Sequence, residues 1–121
     1  EVETAQTDSG VTYSPQDSGG SAFFYSGATP PARQDMAKIR RMATLDSVMR
    51  ELQHSNPLIA SVYFNSWDSY NHIYPWFATH EQYPHDMVIP EYNFYYLADA
   101  EHNPSRGVVW TDVYLDPAGQ G

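Results

Sequence analysis

Cysteine is absent from the 121 residues. That excludes a disulfide framework, a zinc–thiolate centre and a thiol nucleophile. Positive charge is scarce too: six Lys and Arg stand against fifteen Asp and Glu, a formal net charge of −9. Five of the six bases (Arg33, Lys38, Arg40, Arg41 and Arg50) fall in one short segment, and from Glu51 onward Arg106 alone faces nine acids. Such a surface repels phosphate backbones, so nucleic acid is excluded as a partner. No apolar run approaches the length of a membrane span, and no signal-peptide pattern opens the sequence. These features suit a soluble protein and suit an excised extracytoplasmic domain equally well. Also missing are a Gly-x-Ser-x-Gly elbow, a phosphate loop and a dinucleotide fingerprint.

Aromatic residues are abundant instead, with ten Tyr and three Trp. They join large contact area to a polar handle and serve recognition surfaces as well as cores. The length fits one domain, or a piece of one, with a modest core.

Residues 1–22 are rich in Ser, Thr, Gly, Gln and Asp. That composition predicts a poorly ordered leader with a strand-like arm around Val11–Tyr13. The aromatic patch Phe23–Tyr25 then packs onto the domain. Thr29-Pro30-Pro31 reads as a helix start with Thr29 as N-cap. Met36, Ile39, Met42, Leu45, Val48, Met49 and Leu52 recur every three or four residues, which predicts one long amphipathic helix to about Gln53. The bases lie mainly on its solvated outer face, and its methionines read as core filler.

Asn56-Pro57 ends that helix. Leu58–Trp67 and Tyr70–Trp76 alternate in the manner of paired strands about an Asp68-Ser69 turn, with Pro75 closing the second. Tyr92–Glu101 suits a short helix ended by Asn103-Pro104. From Val109 the period of two returns, with Val109, Thr111, Val113 and Leu115 on the predicted core face and Trp110, Asp112, Tyr114 and Asp116 opposite. Aromatic rings beside carboxylates can hold a small cation or polar molecule. The alternation alone leaves a simply solvated face equally open. Asp116-Pro117-Ala118-Gly119 carries type I turn residues, and a hairpin turn at this point predicts that a partner strand follows it in a larger domain.

Chemical motifs are weak. His80, Glu81 and His85 miss the spacing of a zinc-protease helix by one residue, and Pro84 interrupts them. Asp99–Asn103 imitates the start of a calcium loop, but Pro104 occupies the glycine position. Asp112 and Asp116 suggest paired acids, yet Asp116 can cap its own turn and Asp112 can pair with Arg106. The expectation is therefore no catalytic residue, no metal and no cofactor.

Several segments resemble the double Cache (dCache) sensor domains, the extracytoplasmic ligand-binding parts of bacterial chemoreceptors, sensor histidine kinases and diguanylate cyclases. They are Asn-Phe-Tyr-Tyr-Leu-Ala-Asp (Asn93–Asp99), Glu-His-Asn-Pro (Glu101–Pro104) and Trp-Thr-Asp-Val-Tyr-Leu-Asp-Pro-Ala-Gly-Gln-Gly (Trp110–Gly121). The likeness extends upstream through Ser55-Asn56-Pro57 and the Tyr63–Phe77 hairpin. It implies an α+β fold, a long N-terminal helix packed on a PAS-like antiparallel sheet, with residues 23–121 forming the N-terminal part of the membrane-distal module and its last strands missing. It also implies a membrane-anchored periplasmic receptor that binds a small molecule, with a homodimer through the long helix.

In amino-acid-binding members of that family, an Arg-x-Trp-Tyr motif and a later Tyr-x-Asp hold the ligand. Tyr95, Tyr114 and Asp116 match here, while Tyr92 stands in place of the arginine and Phe94 in place of the tryptophan. Loss of that clamp favours an amine or an uncharged polar ligand over an α-amino acid. Tyr63, Tyr92, Phe94, Tyr95, Trp110 and Tyr114 are the candidate walls, and Asp112 and Asp116 the candidate anchors. A ligand-free structural module and an extracytoplasmic hydrolase are the alternatives.

Overall fold

The computed structural model describes residues 1–119. It is an α+β fold with a five-stranded antiparallel sheet in the order β1-β2-β3-β5-β4: β1 Ala5–Gln6, β2 Thr12–Tyr13, β3 Ala22–Tyr25, β4 Val62–Asn65 and β5 Tyr70–Tyr74. Four helices, α1 Met36–Ala43, α2 Asp46–His54, α3 Thr79–Gln82 and α4 Asn93–Tyr96, cover it with two short 3-10 turns. Among the described residues no helix is long and apolar enough to cross a membrane.

Strand register divides the side chains between two layers. Phe23 lies opposite His72, and Tyr25 opposite Tyr70. These residues face α1, where Phe23, Tyr25, Tyr70, Ile39 and Met42 form one core. Ala22, Phe24 and Ile73 point the other way and pack with Val11, Tyr83, Met87, Ile89 and Ala118. Because Tyr63 is registered with Ile73 and Phe64 with His72, Tyr63 and Tyr70 lie on opposite faces. The tyrosines of the hairpin are therefore shared between the two sides of the sheet.

The predicted long helix is two helices. Thr44 and Leu45 donate main-chain N–H groups three residues back, to Arg41 and Met42, and the Thr44 hydroxyl also bonds the Arg41 carbonyl. Those tighter bonds and the back-bonding of a β-branched residue end α1. Asp35, not Thr29, caps it: its carboxylate accepts the Lys38 N–H at 3.0 Å. The break turns Asp46 toward the sheet. Only Ile39, Met42 and Met49 of the periodic set are buried, while Leu45, Val48 and Leu52 remain about half exposed.

The opening segment is ordered too. Val11 is buried, and β1 and β2 extend the sheet from β3. Polar partners do here what apolar burial usually does. The Thr12 hydroxyl donates to Gln34 Oε1, and the Gln34 amide donates to the carbonyls of Gly10 and Thr29. Gly27 passes so close to the Ser9 carbonyl that a Cβ would sit 2.4 Å from it, so the crossing needs glycine.

Two polar clusters tie the helical layer to the sheet. The Asp68 carboxylate accepts from the Tyr25 and Ser66 hydroxyls and the Lys38 ammonium. Lys38 also lies 5.1 Å and 5.4 Å from the ring centroids of Tyr25 and Tyr70. In the second cluster His72 bridges Tyr70 (2.8 Å) and Asp46 (2.7 Å). Burial opposes the charge on both carboxyls. Hydrogen bonds from Lys38, Ser66 and Tyr25 to Asp68, and from His72 and Ser21 to Asp46, outweigh it and hold both below their ordinary range.

Two outcomes follow. Asp68→Ala leaves the Lys38 ammonium buried without its counter-ion and should cost about 3–5 kcal/mol in urea denaturation, while Lys38→Met with Asp68→Leu should recover most of it. Both acids have lower pKa values folded than unfolded, so their stabilisation is complete above the unfolded values and is lost as pH falls through the folded ones. The urea midpoint should hold from about pH 7 to 5 and drop below about pH 4.

Candidate functional site

On the sheet face away from α1, a cleft opens between β4, β5, α4 and the turn at Asp116. Tyr63 and Asn65 come from β4, Asn71 and Ile73 from β5, Phe94 from α4, and Tyr114 and Asp116 from the last described segment. Tyr83, Met87 and Ile89 close its base. Each contributor follows from local rules. The period of two places Tyr63 and Asn65 on one side of β4, and Tyr92, whose main-chain N–H closes the Ile89–Glu91 3-10 turn on the Ile89 carbonyl, is also the N-cap of α4. The type I turn forms as its residues predict: Gly119 N–H bonds the Asp116 carbonyl at 2.9 Å, and Gly119 takes a φ of +71°.

The floor is a chain of neutral hydrogen bonds. Tyr83 donates to Asn71 Oδ1 at 3.0 Å, and Asn71 Nδ2 donates to Asn65 Oδ1 at 2.8 Å. The walls are rings: Phe94 stacks on Tyr114 with centroids 5.8 Å apart, meets Tyr63 edge-on at 6.1 Å and lies 5.3 Å from Tyr92. The Tyr63 and Tyr114 hydroxyls approach to 3.5 Å, at the outer limit of a hydrogen bond. The cavity left between them is ≈ 20 Å³, about the room of one water. The cleft is closed, and lightly so.

Asp116 is the one ionisable acid in the lining, and no Lys or Arg lines the cleft. One of its oxygens caps the turn through the Ala118 N–H at 2.9 Å, and the other has no protein partner among the described residues. Burial, then the Tyr114 hydroxyl and the Asp116 charge, pushes the Tyr63 phenol well above its ordinary value; burial with the same acid does so for Tyr83. Both therefore stay protonated donors across physiological pH. The arrangement offers one carboxylate, several hydroxyl and amide groups, and aromatic walls. It suits an amine or a neutral polar molecule.

Of the eight candidate residues, Tyr63, Phe94, Tyr114 and Asp116 line this cleft, and Tyr92 supports it through Phe94. Tyr95 faces a neighbouring open groove with Tyr63, Phe64 and Asp99. Trp110 is 90% exposed and Asp112 is exposed; neither reaches the cleft. The predicted strand from Val109 is absent. Val108–Leu115 has no regular secondary structure and makes no main-chain hydrogen bond among the described residues, and Val113 and Leu115, expected in the core, are exposed. A period of two sorts side chains into two sets without saying which set is buried. Here the wall side chain Tyr114 has a surface to meet and the apolar set has none.

Asn65, Asn71 and Tyr83 were not singled out from the sequence. Polar residues inside a predicted strand were the available signal, since a buried amide must find partners. The other weighed motifs do structural work. His80 stacks on Tyr13 at 3.8 Å, and the His85 carbonyl accepts the Gly27 N–H. Asp99 accepts from both the main chain and ring of His102 at 2.8 Å. Among the described residues no group of three His, Asp or Glu side chains could hold a metal ion, and Asp112 makes no ion pair with Arg106.

Comparison with known proteins adds no relative: no family model matches the chain, and neither curated proteins nor solved structures yield a match. The Cache likeness rests on the sequence segments alone.

The polar floor makes a clear demand. Asn71 is 4% exposed and serves both Tyr83 and Asn65. Asn71→Ala strands two partners and should cost about 1–3 kcal/mol by chemical denaturation, whereas Trp110→Ala should leave the midpoint within about 0.5 kcal/mol.

Proposed function

We propose that this chain is the small-molecule-binding part of an extracytoplasmic sensor domain of the Cache type, carried by a membrane-anchored bacterial signal-transduction receptor, and that it performs no chemistry of its own. One observation carries the reading: an acid and three rings from three separate stretches (Tyr63, Phe94, and Tyr114 with Asp116) converge on one cleft with a hydrogen-bonded floor. A face that merely meets water has no need of such convergence.

The ligand is a compact amine or an uncharged polar molecule. Its donor meets the free oxygen of Asp116, its body stacks between Phe94 and Tyr114, and its remaining polar groups meet the Asn65–Asn71 amides. Entry requires parting of the Tyr63 and Tyr114 hydroxyls, which a 3.5 Å contact holds weakly. Ligand then favours whichever arrangement of the cleft binds it better, and that difference is the signal. The half-exposed Val48 and Leu52 on α2, with Leu45 at its N-cap, make that helix the place where a second copy would pack in the receptor.

The test is a thermal-shift screen of small amines, polyols and nucleobases, with carboxylates as the contrasting set. A compound at about a hundred times its dissociation constant adds about 2.7 kcal/mol, a shift of several degrees. Asp116→Asn keeps the turn cap and should remove the response to amines. Tyr114→Ala should weaken every ligand. A response to carboxylates alone, or one that Asp116→Asn and Tyr114→Ala leave intact, removes the cleft from the reading. A screen with no response at all favours a ligand-free structural module.

A further inference from the structure

Among the described residues the outer edge of β4 carries no neighbouring strand. The Ser66 N–H bonds the Tyr70 carbonyl at 2.9 Å, and the register keeps residues 64 and 72, and 62 and 74, in the same hydrogen-bonded phase. In an antiparallel pair the alternate residues then direct their main-chain groups away. Those are Tyr63 and Asn65. Their N–H and C=O groups meet no protein partner among the described residues.

A groove runs along this edge. Tyr63, Phe64 and Asn65 all line it. Successive residues of a strand point to opposite faces, so three in a row can share one groove only if it lies against the strand's side. The opposite wall is one helical face of the α4 region: Phe94, Tyr95, Ala98 and Asp99. The space between is ≈ 330 Å³ and open to solvent, and Tyr63 and Phe64 are 42% and 41% exposed. An unpaired edge strand facing a helix across an apolar groove is the arrangement by which peptides are captured through strand addition.

Charge specifies the occupant further. The groove contains no base, Asp99 stands at its rim, and Arg106 is the one base from Glu51 onward against nine acids. Hydrogen bonds from the His102 main chain and ring hold Asp99 ionised, below its ordinary carboxyl range. We propose that β4 and this groove dock an extended peptide strand bearing Lys or Arg beside apolar side chains, which adds to the sheet as a sixth strand. Its main chain pairs with Tyr63 and Asn65, its apolar side chains rest on Phe64 and Tyr95, and its bases meet Asp99. This groove adjoins the ligand cleft, and Tyr63, Asn65 and Phe94 border both.

The experiment uses four capped seven-residue peptides. The first alternates Val and Lys, the second is the same peptide methylated at every central amide nitrogen, the third has Glu for Lys, and the fourth has Thr for Lys. Amide hydrogen exchange of the protein is followed residue by residue. The first peptide should slow exchange at Tyr63 and Asn65 by about tenfold or more, while leaving other strands unchanged. The methylated peptide should lose that protection, since it keeps the side chains but cannot pair. The Glu peptide should bind about tenfold more weakly at low salt. Equal protection by the methylated peptide overturns the proposal, because side-chain adsorption then explains binding. So does protection of the same amides in peptide-free protein that rises with protein concentration, since a second copy then holds the edge. Asp99→Asn should erase the preference for Lys over Glu without altering protection by a Val-Thr peptide.

Discussion

A central strand buried on both faces, yet built from polar residues, is the constraint on which the molecule depends. Every residue of β5, Tyr70-Asn71-His72-Ile73-Tyr74, is buried, and four of the five carry a group that must be hydrogen-bonded once removed from water. Tyr70 bonds His72 within the strand, and the remaining partners come from α2, β4 and the segment after α3. Tyr70 and His72 are closed by Asp46 at the start of α2, and Tyr74 reaches His54 at its end. Asn71 is held by Asn65 of β4 and by Tyr83 after α3. An apolar strand would tolerate many positions of the covering layers. This one accepts few, because sliding α2 by a turn would leave His72 and Tyr74 unanswered.

The two faces use that constraint differently. On the α1 side the demands are met by carboxylates: Asp68 pairs with Lys38, and Asp46 hydrogen-bonds His72. Bonds to a charged group of this kind lock geometry, because breaking them leaves a charge in a poor solvent. On the other side the bonds are neutral amide and hydroxyl contacts, and the covering rings of Phe94 and Tyr114 are only half buried. Charged bonds back one face and neutral ones the other. That asymmetry fits the proposal of a cleft that opens and recloses on a fixed frame.

The alternating hairpin, the turn at Asp116 and the short helix near Tyr95 were all legible, because each depends on local periodicity or turn chemistry. The same periodicity misled where burial is decided by distant partners. Thr44 inside an unbroken apolar rhythm gives no hint that a back-bonded hydroxyl will divide the helix. The polar leader gives no hint that Gln34, far along the chain, will knit it to the sheet. For the cleft, Tyr63, Phe94, Tyr114 and Asp116 were found through resemblance and residue type. Asn65, Asn71 and Tyr83 escaped notice because a buried amide and a solvated one look alike in one dimension. Trp110 and Asp112 were included for the converse reason: strand alternation offers two faces, and contact with Phe94 selects Tyr114 alone.

The unpaired stretch Val108–Leu115 has a practical consequence. It is fastened at one end by the Asn103 side chain gripping the Gly107 carbonyl and at the other by the turn beneath buried Ala118. Between those moorings a protease finds main chain free of hydrogen bonds among the described residues, with Trp110 and Leu115 standing in solvent. Chymotrypsin should therefore nick this strap readily, and a guest bound as proposed beneath Tyr114 should make the cut slower.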